Sequence, residues 1–348
     1  ADGKVDFGKA ESVIDHAVER GINYFDSGYF YQSGDSERAM GRALKKYPRD
    51  SYYMATKLPS FRVKDRADIL SVFEEQSERC QADYFDFYLY HNVNESSYAD
   101  FTKDFVLDTL LELKDKGRIK RIGFSSHGDT DTLEKFSARR QWDIALIQLN
   151  YLDWTYWNAK KQYEILTEYK IPVAVMEPMR GGRFSTSITP EADQLMKSVS
   201  PDRDIASWAL RFAASLPNVV TVLSGMNTFE QIDANAATMS GFSPFSYRER
   251  KTIKKVADIL LDSTQVPCTG CRYCVDDCPA GLDIPRLMEI YNGYAISGHW
   301  MELLKLQALP SAGRPSKCTQ CGACSAHCPQ KIDIPSAIRK LREGSGRP

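Results

Sequence analysis

Over most of its 348 residues the chain is poor in cysteine: of nine cysteines, only Cys80 precedes residue 268. That leaves no material for a disulfide framework in the long first part of the chain. The sequence also lacks an excess of charge of either sign. Lys and Arg number 45 against 46 Asp and Glu, a formal net charge of −1, so no global attraction to nucleic acid or to an anionic membrane is expected. No apolar run reaches the ~20 residues of a membrane-spanning helix. The opening Ala1-Asp2-Gly3-Lys4 lacks the charged-then-apolar order of a secretory signal. No Gly-x-Gly-x-x-Gly follows any strand pattern, which counts against a Rossmann domain.

What is present is a regular alternation. Short runs rich in Val, Ile, Leu, Tyr and Phe occur at 22–27, 52–57, 85–91, 119–125, 144–150, 172–178 and 219–225. Such runs fit parallel strands covered on both faces. Helical patterns lie between them, at 9–20, 36–46, 66–81, 105–116, 131–138, 158–169 and 204–215, with Ser36 as a candidate cap. A βα repeat implies a parallel α/β fold. An open doubly wound sheet is one solution. A (β/α)8 TIM barrel is the sharper expectation, and it needs a strand ahead of the first helix. The chain opens instead in a polar loop, so the first strand is expected to be absent from this chain. A charged helix follows at 247–261, and 262–267 reads as a linker. The division expected is 1–262 as the barrel and 263–348 as a second domain.

That second domain repeats one motif. Cys268, Cys271, Cys274 and Cys278-Pro279 recur as Cys318, Cys321, Cys324 and Cys328-Pro329. This is the Cys-x₂-Cys-x₂-Cys-x₃-Cys-Pro run of bacterial ferredoxins, in which the fourth cysteine ligates the other cluster. Two [4Fe–4S] clusters are expected, one on Cys268, Cys271, Cys274 and Cys328, the other on Cys318, Cys321, Cys324 and Cys278. Zinc is the weaker alternative, since structural zinc draws paired ligands from separate knuckles. The following Gly281-Leu282-Asp283-Ile284-Pro285 and Lys331-Ile332-Asp333-Ile334-Pro335 also match, so the whole cluster unit is duplicated. The spacer 286–309 reads as helical, giving an α-helical two-cluster ferredoxin-like domain. Crowded thiolates fit a reducing compartment, hence a cytoplasmic protein. Cys80 reads as a small buried hydrophobe.

Four polar residues stand at or just past strand C-termini: Asp26, Tyr31, Lys57 and His91. Singly, each reads as a solvated rim group. In a barrel, however, these strand ends converge on one mouth, where active sites form. Reducing a carbonyl needs a hydride at carbon and a proton at oxygen. A phenol is a poor acid near pKa 10, and a nearby ammonium favours its phenolate. Lys57 suits that role, held by Asp26, with Tyr31 as general acid and His91 orienting the carbonyl oxygen. Tyr29 is the rival acid.

Here the sequence resembles the aldo-keto reductase superfamily. The resemblance rests on Asn23-Tyr24-Phe25-Asp26-Ser27 with Tyr31, Ala55-Thr56-Lys57, Tyr88-Leu89-Tyr90-His91, Gly123-Phe124-Ser125-Ser126, Gln148-Leu149-Asn150-Tyr151, Glu177-Pro178 and Leu223-Ser224-Gly225-Met226. With the cysteine tail it looks like the ferredoxin-fused bacterial branch. The resemblance implies a catalytic tetrad of Asp26, Tyr31, Lys57 and His91 and a nicotinamide cofactor, NADPH or NADH. It implies Ser125, Ser126 and Gln148 at the carboxamide, and Met176 where the family commonly stacks an aromatic on the ring. Ser224, Gly225 and Met226, with the helix start from Thr228 to Asn235, would meet the adenine-side phosphates. The family arginine for the 2′-phosphate maps near Gln231, which is not basic. Arg180-Gly181-Gly182-Arg183 is either a cover for the pyrophosphate or a plain loop.

A nicotinamide moves two electrons together and an iron–sulfur cluster one at a time; flavin, a further candidate cofactor, bridges the two modes. Three readings stay open: a reductase whose clusters relay electrons to or from a flavin or an electron-transfer protein partner, a conventional carbonyl reductase with a structural cluster tail, and a non-enzymatic electron carrier. The substrate expected is a small carbonyl compound. Aromatics in the loops 92–99 and 152–157 (Tyr98, Trp154, Tyr156, Trp157) suit an apolar one, or serve packing alone.

Overall fold

The structure is a computed structural model that describes residues 5–156, 158–180, 182, 184–185, 188–263, 266–268, 270–297 and 301–345. Seven strands form one sheet in chain order: β1 (Tyr24–Asp26), β2 (Tyr53–Pro59), β3 (Phe85–Val93), β4 (Ile119–Ser126), β5 (Ile144–Gln148), β6 (Val173–Met176) and β7 (Val219–Val222). Every neighbouring pair is parallel. These are the seven strands that the apolar runs predict, with their ends shifted by a few residues. The sheet curls as a seven-stranded half-barrel. Among the described residues β1 and β7 do not pair, and no strand precedes the first helix, Phe7–Glu19. The two edge strands are half-exposed, whereas β2 to β6 are mostly buried.

Alternation along the strands sorts the core into two layers. Tyr88, Tyr90, Phe124, Ile122, Ala145, Ile147, Val173 and Val175 face outward and pack under the helices. Leu89, Ile144, Leu146 and Ala174 face inward and form their own cluster with Phe87, Met176 and Leu223. Each Val, Leu, Ile or Phe among them contributes about 1.5–3 kcal/mol when fully buried. Gly123 allows the close approach of β4 to β5, because a Cβ there would lie 2.3 Å from the Ile144 carbonyl oxygen.

The helices begin where side chains cap them. Asp6, Asp65 and Asp129 accept backbone N–H groups at the starts of Phe7–Glu19, Arg66–Cys80 and Thr130–Ser137, satisfying donors that have no intrahelical partner. Ser36 is not a cap, contrary to the sequence expectation. Helix Asp35–Leu44 starts after Gly34 in the left-handed region (φ 91°), and the Ser36 hydroxyl meets that of Ser27 at 2.9 Å.

The chain divides into two compact units, Ala1–Gly181 with Ala206–Phe245 and Gly182–Ile205 with Ser246–Pro348. Within the second, helix Pro190–Lys197 packs against helix Tyr247–Ser263. The proposed linker is partly helix: Tyr247–Ser263 runs through Asp262, and Val266 is buried in the second core. That core gathers Ile284, Leu287, Ile334, Ile338 and Leu341 from helices Ile284–Ser297 and Ile334–Ser345, with Leu282 from the segment just before the first. Each of the two has a proline in its first turn, where the missing N–H costs nothing. Among the described residues no helix is long and apolar enough to cross a membrane.

Candidate functional site

Strand register assembles the site. Asp26 stands opposite Ala55, two residues before Lys57; Lys57 stands opposite Leu89, two before His91. Leu89 pairs with Gly123, two before Ser125; Ser125 pairs with Leu146, two before Gln148; Gln148 pairs with Met176. With a side-chain period of two, Asp26, Lys57, His91, Ser125, Gln148 and Met176 therefore share the inner face at the strand C-termini. Ser126 falls on the alternate position.

The tetrad expected from the sequence comes together. Lys57, only 1% exposed, forms an ion pair with Asp26 and donates to the Ser27 carbonyl at 2.5 Å. Its Nζ lies 5.0 Å from the centre of the Tyr31 ring. The Tyr31 hydroxyl is 3.5 Å from His91 Nε2, and the two rings meet edge to face. The turn after Tyr31 holds Gln32 and Ser33 in the left-handed region (φ 46° and 57°), a conformation that costs about 1–3 kcal/mol per residue and clusters at functional sites. Gly28 makes room: a Cβ there would lie 3.1–3.2 Å from both Tyr31 and His91. Tyr29, the rival acid, turns away and donates to Glu75 at 2.7 Å.

Burial sets the charges. It lowers His91 to about 3, assisted by the Lys57 cation and by His127, so the imidazole is neutral at ordinary pH. Burial also raises the Asp26 carboxyl, against the pull of Lys57. Asp26 Oδ2 and His91 Nδ1 are buried without a hydrogen-bond partner among the described residues.

Behind Lys57 lies a buried polar network that no local sequence signal announces. Glu37 is fully buried; its carboxylate accepts from Thr56 (2.6 Å), Gln76 (2.7 Å) and Arg79 (3.1 Å). Gln76 in turn donates to the Lys57 carbonyl at 3.1 Å and accepts from Tyr88 at 2.6 Å. The backbone of β2 is thereby pinned beneath the ammonium. Phe30 was also missed. It stacks on the His91 ring at 4.7 Å and 4°, and 49% of it is exposed.

Residues expected at the cofactor fall into two groups. At the C-terminal ends of the strands, the Ser125 hydroxyl on the inner face accepts the Asn92 N–H at 2.8 Å, and Ser126, on the alternate position, donates to the Val93 carbonyl at 2.8 Å. Gln148 donates to Asp153 at 2.8 Å, and Met176 borders the inner apolar cluster. Past β7, Asn235 donates to Ser224 at 3.2 Å, and Gln231 accepts the Asn227 N–H at 2.9 Å. Gly225 is open, with nothing within 4 Å of an added Cβ, and Met226 is half-buried. Arg180 pairs with the buried Asp153 at 3.3 Å; Gly181 and Arg183 lie outside the described residues. The loop aromatics serve packing: Tyr98 packs near Phe136, and Trp154 against Tyr163 and Phe212. Trp157 and the Tyr156 side chain lie outside the described residues.

In the second unit the eight cysteines line two small cavities. Cys268, Cys271, Cys274 and Cys328 line one; Cys278, Cys318, Cys321 and Cys324 line the other. Each cavity thus takes its fourth thiol from the other motif, and Ile284 lines both. Among the described residues no three His, Cys, Asp or Glu side chains converge on a single ion. One zinc at about 2.3 Å from each thiolate would draw the sulfurs to ~3.8 Å of each other. Three thiols from one motif and a fourth from the other around each cavity fit the ligand sets of a two-cluster ferredoxin. Burial raises the thiols of Cys268 and Cys274, the latter to about 11, so loading a metal there releases protons. Cys80 is buried, as expected.

Comparison with known proteins agrees with both halves. Residues 1–258 match the aldo/keto reductase family and residues 267–332 a 4Fe-4S dicluster domain. Among characterised and uncharacterised relatives, the uncharacterized oxidoreductase YqkF of Bacillus subtilis is 23% identical, over 65% of this chain and 81% of that protein. L-galactose dehydrogenase of Arabidopsis thaliana is 25% identical, over 72% and 84%. Among solved structures, the holo form of aldo-keto reductase AKR11C1 from Bacillus halodurans superposes with a TM-score of 0.63 at 25% identity, covering 73% of this chain and 88% of that one. An aldo-keto reductase from Klebsiella pneumoniae in complex with NADPH shares the fold alone, with a TM-score of 0.61 at 17% identity over 73% and 87%. The chain belongs to the aldo/keto reductase family of oxidoreductases and carries a 4Fe-4S dicluster domain C-terminal to it in sequence.

Proposed function

We propose that the inner face reduces a small carbonyl compound with a nicotinamide cofactor, and that the cysteine domain would hold two [4Fe–4S] clusters that exchange single electrons with a protein partner, separately from the hydride step. The observation that carries the first part is the meeting of Tyr31 Oη with His91 Nε2 above a buried Lys57–Asp26 pair. A carbonyl oxygen at that gap accepts from both groups. Tyr31 delivers the proton as general acid. Lys57, beneath the ring, stabilises the phenolate left behind, and Asp26 holds Lys57 in place. His91 is neutral, so it directs the oxygen as a hydrogen-bond donor and adds no second cation to the site. The bound nicotinamide supplies the hydride. Ser125, Ser126 and Gln148 would hold its carboxamide, Met176 its ring, and the segment from Ser224 to Asn235 its phosphates. Two of the similar structures are titled with a bound dinucleotide, NADPH in one and NADP in the other, so this reading takes nicotinamide over flavin.

The two sets of four cysteines would ligate the clusters crosswise, as the cavities divide them. Each cluster moves one electron at a time, which suits exchange with a one-electron carrier.

The test is consumption of NADPH by anaerobically purified protein with simple aldehydes and ketones. Tyr31→Phe is expected to slow turnover by about 10²–10⁴-fold with NADPH binding retained. An unchanged rate in that variant contradicts the assignment. EPR of the anaerobic protein titrated with a reduced one-electron protein donor such as a ferredoxin tests the exchange: clusters that stay oxidised throughout count against it.

A further inference from the structure

Asp153 follows β5 and is fully buried. Its Oδ2 accepts from Gln148 Nε2 at 2.8 Å and from Asn150 Nδ2 at 2.6 Å, and its Oδ1 faces Arg180 Nε at 3.3 Å in an ion pair. The turn around it is locked. Asn150 Oδ1 accepts the N–H groups of Leu152 (3.1 Å) and Asp153 (2.8 Å), and Asn150 Nδ2 also donates to the Glu177 carbonyl at 3.1 Å.

A carboxylate accepts hydrogen bonds and donates none. The Gln148 amide must therefore present its NH2 end to Asp153, whichever way round an isolated glutamine would lie. That leaves Oε1 without a protein partner among the described residues. Gln148 shares the inner face with Ser125 and stands opposite Met176.

We propose that Asp153 is a positioning residue that fixes the polarity of the Gln148 amide. The site then offers an acceptor oxygen and selects a pyridine ring whose substituent donates N–H, a primary carboxamide, over one carrying an acetyl group. The inference rests on the nicotinamide reading above and deepens it. Asn at position 153 offers either an oxygen or an NH2, so it lets the Gln148 amide turn over.

The experiment uses the full-length holoprotein and two probes, NADPH and its 3-acetylpyridine analogue, titrated by fluorescence. Wild type is expected to prefer NADPH by about tenfold, the value of one good hydrogen bond lost. Asp153→Asn is expected to shrink that preference to about threefold or less. Gln148→Met abolishes it, and the double variant equals Gln148→Met alone, because Asp153 acts through Gln148. A purely structural role would weaken both dinucleotides equally and would add to the effect of Gln148→Met. Full preference in Asp153→Asn, or additive effects in the double variant, overturns the inference. If Asp153→Asn does not fold, NMR of the wild-type Gln148 side-chain NH2 decides. Slow hydrogen exchange, with or without NADPH, supports the inference; fast exchange overturns it. Wild type that binds both probes without preference overturns this inference alone. Wild type that binds neither overturns the nicotinamide reading as well.

Discussion

On the inner face of the sheet, six aligned side chains come from six strands spread between Asp26 and Met176. In the cysteine domain, three of the four thiols on each cavity fall within seven consecutive residues, from Cys268 to Cys274 and from Cys318 to Cys324. One site is made by long-range register, the other by local loops that trade a single cysteine. The difference lies in what holds each together. The barrel site needs no ligand to exist, because hydrogen-bonded strands and a buried apolar layer set its geometry. The cysteine cavities are apolar pockets between short loops, and a structural metal there supplies folding energy outright.

Cysteine exchange breaks this contrast most sharply, with the largest expected effect. Replacing Cys274 and Cys328 together removes two thiols from one cavity, so about four irons per chain should survive by the [4Fe–4S] stoichiometry. Replacing Cys274 and Cys278 damages both cavities and should leave almost none. Iron and sulfide analysis after anaerobic purification reads the outcome; equal iron in the two variants contradicts the crossed arrangement. Next comes Lys57→Met. It leaves the Asp26 carboxylate without its partner in a buried site, which should cost about 3–5 kcal/mol of stability, and it should lower kcat by about 10²-fold or more. Denaturant unfolding and steady-state kinetics measure the two losses, and iron content should not change.

Acid is a milder probe. His91 titrates near 3 in the folded chain against about 6.5 when exposed. Its neutral form is the one the fold accommodates, so its contribution is complete above pH 6.5. That contribution declines by about 1.4 kcal/mol per pH unit as pH falls from 6.5 towards 3. Unfolding of His91→Gln should lose this component of the acid dependence, and kcat of the wild type should show no His91 limb between pH 5 and 8. The smallest effect is expected for Gly28→Ala. Its methyl presses on Tyr31 and His91, and a displacement of a few tenths of an ångström should lower kcat by about tenfold with little change in cluster absorbance.

The two regions also differ in how far they could be read in advance. The cysteine spacing spoke for itself, down to the exchange of Cys278 and Cys328. All seven strands were legible because buried parallel strands are continuous apolar runs. Asp26, Lys57 and His91 stood out because polar residues end those runs. Glu37 and Gln76 did not, since a lone acid or amide in a helical pattern looks solvated until the sheet it covers is known. Asp153 was hidden for the same reason, as its partners Gln148 and Arg180 lie on different strand-loop units. Helix Pro190–Lys197 was missed although Thr189-Pro190-Glu191 is a legible helix start: a capping Thr, Pro in the first turn and an acid after it.

The most direct test of the central claim follows the hydride. NADPH deuterated at the transferable C4 position is given to the anaerobic protein with an aldehyde, and the alcohol is analysed by mass spectrometry. Direct transfer at the mouth built by Tyr31, Lys57, Asp26 and His91 predicts deuterium on the product carbon, formed far more slowly by Tyr31→Phe. Product carrying only solvent hydrogen at that carbon contradicts the account, because the electrons would then have travelled singly.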